Sequence, residues 1–140
     1  MNPNFDLFAE FRNLLLAKSG VAALVGTRVS CNELPEGFGE AGFDCAQSIS
    51  MVLVPNPDEQ MEDYPPLAAY QFAVACWGKS SLLAAQLARA VMAAFFDMGE
   101  TTVGSVCWKY ATASIAGFDR IEETGWCFYE VHVHLKVDVT

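Results

Sequence analysis

The sequence predicts an α+β domain, built as a single, mainly antiparallel, twisted β-sheet with two principal helices packed on one face. Three observations carry that expectation. Segments 5–18 and 82–97 repeat their apolar residues at helical spacing. Segments 47–54, 70–77, 103–115 and 126–139 are rich in β-branched and aromatic residues, as strands are. The last of them alternates apolar and polar positions with period two, the pattern of a sheet with one wet face.

The chain of 140 residues suffices for one core, so 1–140 is read as one domain. Hydrophobic residues make up 53% and charged ones 18%, which excludes intrinsic disorder. No apolar run reaches the ~18 residues needed to span a bilayer. The opening "MNPNFDLFAEFRNLLLAKSG" carries Asp6 and Glu10 early and no basic leader, so it does not read as a signal peptide. Seventeen acids against eight bases give a formal charge of −9. Such a chain is not drawn to nucleic-acid phosphates by its overall field.

In the first helix, Asn4 is the expected cap, and Asp6 and Glu10 suit the positive end of the dipole. Lys18 lies near the negative end, and Gly20 can close the helix. Phe8, Phe11 and Leu15 form its apolar face. "GVAALVG" adds a turn before an extended stretch at 28–31. Residues 32–44 are loop by composition. They contain "GFGEAG", a literal G-x-G-x-x-G, but no strand precedes it and no helix follows. Glu36 and Glu40 would also repel a phosphate, so a flexible turn is the better reading. After the strand 47–54 comes "PNPDEQMEDYPPL" (55–67), with Asp58, Glu59, Glu62 and Asp63. It is read as a solvated connection, or as an acidic loop that orders against a partner.

In the next strand, 70–77, Tyr70, Phe72, Val74 and Cys76 share a side. Ser80 or Ser81 caps the helix 82–97, and Gly99 ends it. That helix has only Gln86, Arg89 and Asp97 as polar residues, so it is apolar beyond the usual stripe. With one side on the sheet, Ala85, Ala88, Met92 and Ala93 remain for the first helix or for a neighbouring copy. Two long strands, 103–115 and 126–139, are joined by "AGFDRIEETG". The last would extend about 40 Å, enough for the pair to overhang a small domain and touch another subunit.

In that strand the odd positions from Cys127 to Val139 are apolar, while Glu130, His132, His134, Lys136 and Asp138 face the other way. Two histidines two apart on a strand suit a metal site, but no third ligand is visible in the sequence. A wet or partner-facing surface is the expected role of His132 and His134. Five cysteines (31, 45, 76, 107, 127) show no C-x-x-C spacing and read as reduced core residues of a cytoplasmic protein. There is no G-x-S-x-G elbow, P-loop or H-E-x-x-H, and the carboxylates lie in loops. No enzyme, metal or cofactor is expected.

Four stretches, in order, resemble the tail completion or tail terminator proteins of long-tailed phages. They are "GVAALVGTRV", "SISMVLVP", "YQFAVACWGKSSLLAAQLARAVMAAF" and "TGWCFYEVHVHLKVDV", within about residues 5 to 139. In the third, a strand ends in Trp77-Gly78 and a small polar cap leads into an alanine-rich helix. The resemblance implies a non-enzymatic virion protein, assembled in the host cytoplasm and located at the head-proximal end of the tail. It would form a ring, commonly of six subunits, that stops growth of the tail tube and joins it to the head connector. Its partners would be further copies, the tail tube protein and the connector or neck protein, with DNA only as passing cargo and no membrane. Some such proteins stay single until they meet the tail. On that reading Ala85, Ala88, Met92, His132 and His134 are candidate contact residues, together with Asp58, Glu59, Glu62 and Asp63. Those four acids would repel passing DNA if they lined the lumen. The alternatives are another neck component, or a small α+β domain that binds a ligand or metal.

Overall fold

Asp6 starts the first helix, its carboxylate accepting from the Ala9 N–H at 3.2 Å and so satisfying one of the free donors of the first turn. The cap is therefore Asp6 rather than Asn4, which lies outside the described residues. The computed structural model describes residues 6–31, 47–54, 67–123 and 125–138. Its helices are α1 (Leu7–Ala17), α2 (Ser19–Val25) and α3 (Ser81–Phe95). Its strands are β1 (Val29–Cys31), β2 (Gln47–Val54), β3 (Leu67–Gly78), β4 (Thr101–Val103), β5 (Val106–Arg120) and β6 (Cys127–Asp138).

The strands form one sheet in the order β1-β2-β3-β6-β5-β4. It was expected to be mainly antiparallel and is mixed, because β1 runs parallel to β2. The physical reason is the connection. Parallel neighbours need a long link where antiparallel ones take a tight turn, and residues 32–46 supply it between these two. The extended stretch at 28–31 thereby becomes an edge strand, which composition alone did not identify.

Register sorts the side chains into two faces. Phe72 pairs with Val133, Val74 with Val131, Met51 with Val74, and Ala113 with Val133. All of these are buried and point to the same side. Phe11 of α1 stacks on Phe72, with ring centroids 4.2 Å apart, and also contacts Phe95 of α3 and Trp108 of β5. Offset ring pairs of this kind contribute about 0.5–1.5 kcal/mol beyond their area. The core thus lies between this face of the sheet and the helices.

Two features set α3 in place. Ser80 caps it, its hydroxyl accepting from the Leu83 N–H at 3.3 Å. Gly78 lets β3 come close beneath the first turn. A Cβ there would lie 2.8 Å from the Leu83 carbonyl carbon and 3.0 Å from the Ala84 Cα, and closer still to the Ala84 nitrogen. Only glycine leaves that space free. The buried Gln47 at the start of β2 then fastens the same turn, donating to the Leu83 carbonyl at 2.9 Å and to Gln86 at 3.1 Å.

Two expected boundaries move. The helix expected over 82–97 ends at Phe95, because Phe96 is extended at ψ 117° and Asp97 then takes a positive φ of 52°, ahead of Gly99. The strand expected over 103–115 is a hairpin. Gly104, at φ 62°, turns the chain between β4 and β5, and β5 then continues to Arg120. Ala116 and Gly117 read as the start of a turn, yet the strand absorbs Ala116 as a bulge between Ile115 and Gly117.

Candidate functional site

The far face of the sheet carries the two histidines. His132 sits between two partners: Nδ1 is 2.9 Å from the Gln71 amide, and Nε2 is 2.9 Å from the Glu130 carboxylate. Both ring nitrogens are thus occupied by neighbours on the face. His134 stands opposite Gln71 in the β3–β6 register. Among the described residues no three His, Cys, Asp or Glu side chains converge as a metal site. Ser114 lies opposite His132 in register, but the imidazole is already bonded to Gln71 and Glu130 and does not pair with that hydroxyl as a base.

The alanine face proposed for α3 is rotated from the one expected. Ala88 is 1% exposed and belongs to the chain's own core, so it cannot serve as an outer contact. Ala85 is half-buried, and Met92 packs against the core from its flank. The outward stripe is Leu82, Gln86, Arg89 and Ala93, with Phe96 just past the helix end. Leu82 is 71% exposed and Phe96 64%. Ala93 faces outward as expected; a helix apolar nearly all round gives little information about its rotational phase, which is why Ala88 is misplaced in the sequence reading. The four acids Asp58, Glu59, Glu62 and Asp63 lie outside the described residues.

The expected overhang is instead an open edge. β6 is paired along its whole length with β3, from Gly78–Cys127 to Leu67–Asp138, so the last two strands do not project free of the sheet. β5 is different. β4 covers it only at Val106, Cys107 and Trp108, and Met98 forms an isolated bridge to Ala111. Beyond that, residues 114–120 are all exposed, including Ile115 and Phe118. Phe118 packs on Tyr129 of β6, with ring centroids 4.8 Å apart. The sequence shows only Ser114 and Ile115 of this surface as strand, because residues 116–120 read as part of a connecting loop.

A cleft of about 250 Å³ lies at the opposite end of the sheet, lined by Arg12, Thr27, Arg28, Val29, Ser30 and Ser48. Its arginines hold backbone. Arg12 donates to the Thr27 carbonyl at 2.8 Å and the Val29 carbonyl at 3.4 Å. Arg28 donates to the carbonyls of Gln47 at 2.9 Å and Leu24 at 3.1 Å. They fasten the outer strand and leave the cleft a structural feature.

Of the cysteines with described side chains, Cys76 and Cys127 are buried as expected, and Cys107 is half-exposed. Burial pushes the Cys76 thiol well above its ordinary pKa, which makes it inert. Cys107 donates to Glu100 at 3.2 Å, and Lys109 donates to the same oxygen at 3.0 Å. Among the described residues, no helix is long and apolar enough to cross a membrane.

This is the fold of an α+β chain whose surfaces are an open sheet edge and a polar sheet face. It is similar to a chain of a solved structure, the virion of a native gene transfer agent particle. The TM-score is 0.65 at 20% identity, and the match covers 94% of this chain and 94% of that one. No protein-family model matches the sequence, and no curated protein matches it significantly.

Proposed function

We propose that this chain is a structural virion protein of a phage-like particle, a ring subunit at the head-proximal end of the tail tube. It ends tube polymerisation and joins the tail to the head connector. The observation that carries this reading is the likeness in fold to a virion chain, which runs across nearly the whole of both molecules. The role is non-enzymatic, and it asks the chain for contact surfaces rather than for reacting groups. The open edge of β5, with Ile115 and Phe118 exposed along it, supports it, since an unpaired strand edge is a template for another chain.

The test uses purified protein and purified tail tubes that lack their head-proximal cap. Gold-labelled protein should bind at one tube end, as a ring of six by mass, and tubes so capped should not lengthen when tube subunits are added. Label at the head vertex, with no effect on tube growth, would move the chain to another neck position. Absence from both places would refute the virion reading.

A further inference from the structure

We propose that the outer edge of β5, over residues 112–120, is the seam that receives an extended segment of a neighbouring copy of this chain. The inference rests on the ring reading and names the surface that would close it.

The first argument is backbone chemistry. Ala111 exchanges two hydrogen bonds with Met98, at 2.8 and 3.0 Å, so its N–H and C=O point away from β6. Strand groups alternate in direction, so Ala113 and Ile115 are the next residues aimed outward. No described strand pairs with them. A row of this kind specifies what it binds, namely another extended backbone.

The second argument is the contrast between the two edges of the sheet. Natural sheets guard an open edge with charge, proline, a bulge or a covering group. At the β1 edge, the Arg12 guanidinium covers the carbonyls of Thr27 and Val29. At the β5 edge, the nine residues 110–118, "YATASIAGF", contain no charge and no proline. Ile115 is 52% exposed there and Phe118 47%. Of the usual guards the run has only bulges, at Lys109 just ahead of it and at Ala116 within it, and the stretch between them, which carries Ala113 and Ile115, pairs with β6 without a break in register.

The third argument selects the occupant. With a formal charge of −9, two copies repel one another wherever their acids meet. The uncharged run escapes that repulsion, and Asp119 and Arg120 at its end offer one charge of each sign. A contact of this kind, repeated head to tail, closes a ring when the rotation between copies permits.

The experiment measures assembly of full-length protein by native mass spectrometry and sedimentation, alone and with tail tubes. Ile115→Lys adds a charge to the seam, and Ile115→Pro removes an outward N–H that no described group uses. Val52→Lys, at an exposed apolar position on β2, is the control. Both Ile115 variants should need at least tenfold more protein to assemble, with melting and circular dichroism unchanged, and Val52→Lys should assemble as wild type does. Amide exchange gives an independent readout should the proline variant not fold. The Ala113 and Ile115 amides should exchange freely in the single subunit and at least a hundredfold more slowly in the ring. Rings of normal stability in both Ile115 variants, or unprotected amides in the ring, would overturn the seam and leave the ring reading standing. Wild-type protein that stays single even on tubes would overturn both.

Discussion

Gly78→Ala adds one methyl group where the chain leaves β3 for α3, and the structure gives its cost. The new carbon would lie within 3.0 Å of three backbone atoms of Leu83 and Ala84. Carbon atoms pack without repulsion at about 3.5–4.0 Å, so the first turn of α3 must lift by about 1 Å. No side chain can rotate aside to spare it. Lifting the turn also stretches the bond from Gln47 to the Leu83 carbonyl, now 2.9 Å. Overpacking of this kind costs about 1–3 kcal/mol, and backbone on backbone belongs at the upper end. Alanine also restricts the unfolded chain, which offsets about 0.4–1 kcal/mol. The net loss is then about 2–2.6 kcal/mol. At about 2.1 cal/mol/K per residue, 140 residues convert it to a fall in Tm of about 7–9 °C. Scanning calorimetry measures it, with Gly99→Ala as control, since a Cβ at Gly99 meets nothing within 4 Å. A Gly78→Ala protein melting within about 2 °C of wild type would show that α3 does not press on β3 as described.

Ser80→Ala removes the cap of α3 and should cost about 1 kcal/mol in urea denaturation, with Ser80→Asp restoring most of it. A neutral maleimide should label Cys107 in the native protein and reach Cys76 only after unfolding, as peptide mapping would show. Glu100 should titrate below the ordinary carboxylate range, because the Cys107 thiol and then the Lys109 ammonium donate to it, and NMR of Lys109→Met should move that titration upward. The sign follows: a carboxyl held low in the fold stabilises it above the unfolded pKa, and that contribution disappears as pH falls through the folded value. Equimolar zinc should leave the melting of wild type and of His132→Ala unchanged, since the imidazole is held by Gln71 and Glu130.

The sheet's inner face could be read in advance because it obeys one period. Val131, Val133, Leu135 and Val137 alternate without error, and all four are buried. Phe72, Val74 and Cys76 follow the same rule on β3. What escaped the sequence were places where local signals point one way and long-range pairing another. Ala116-Gly117 carries the composition of a turn, yet pairing with β6 holds it as bulged strand. Residues 29–31 are too short for a periodic signal and become a strand only through β2. The free side of α3 is legible at Ala93 and not at Ala88, because alanines on every side leave its rotation to the groups it meets, Gln47 and Phe11 among them. The histidine face was legible, since a row of polar residues on one strand describes a surface whether or not anything binds there.

The central position of β6 sets the order of events at the ribosome. This strand joins β3 to β5, yet all of α3, β4 and β5 must be synthesised before it emerges. Until Asp138 clears the exit tunnel, the nascent chain can pair β2 with β1 and with β3, but the other edge of β3 waits for β6. The facing edges of β3 and β5 stay unpaired throughout that interval, as prey for holdase chaperones and for premature association. A stop codon just ahead of Cys127 would therefore yield no smaller version of the domain, only a substrate for proteolysis.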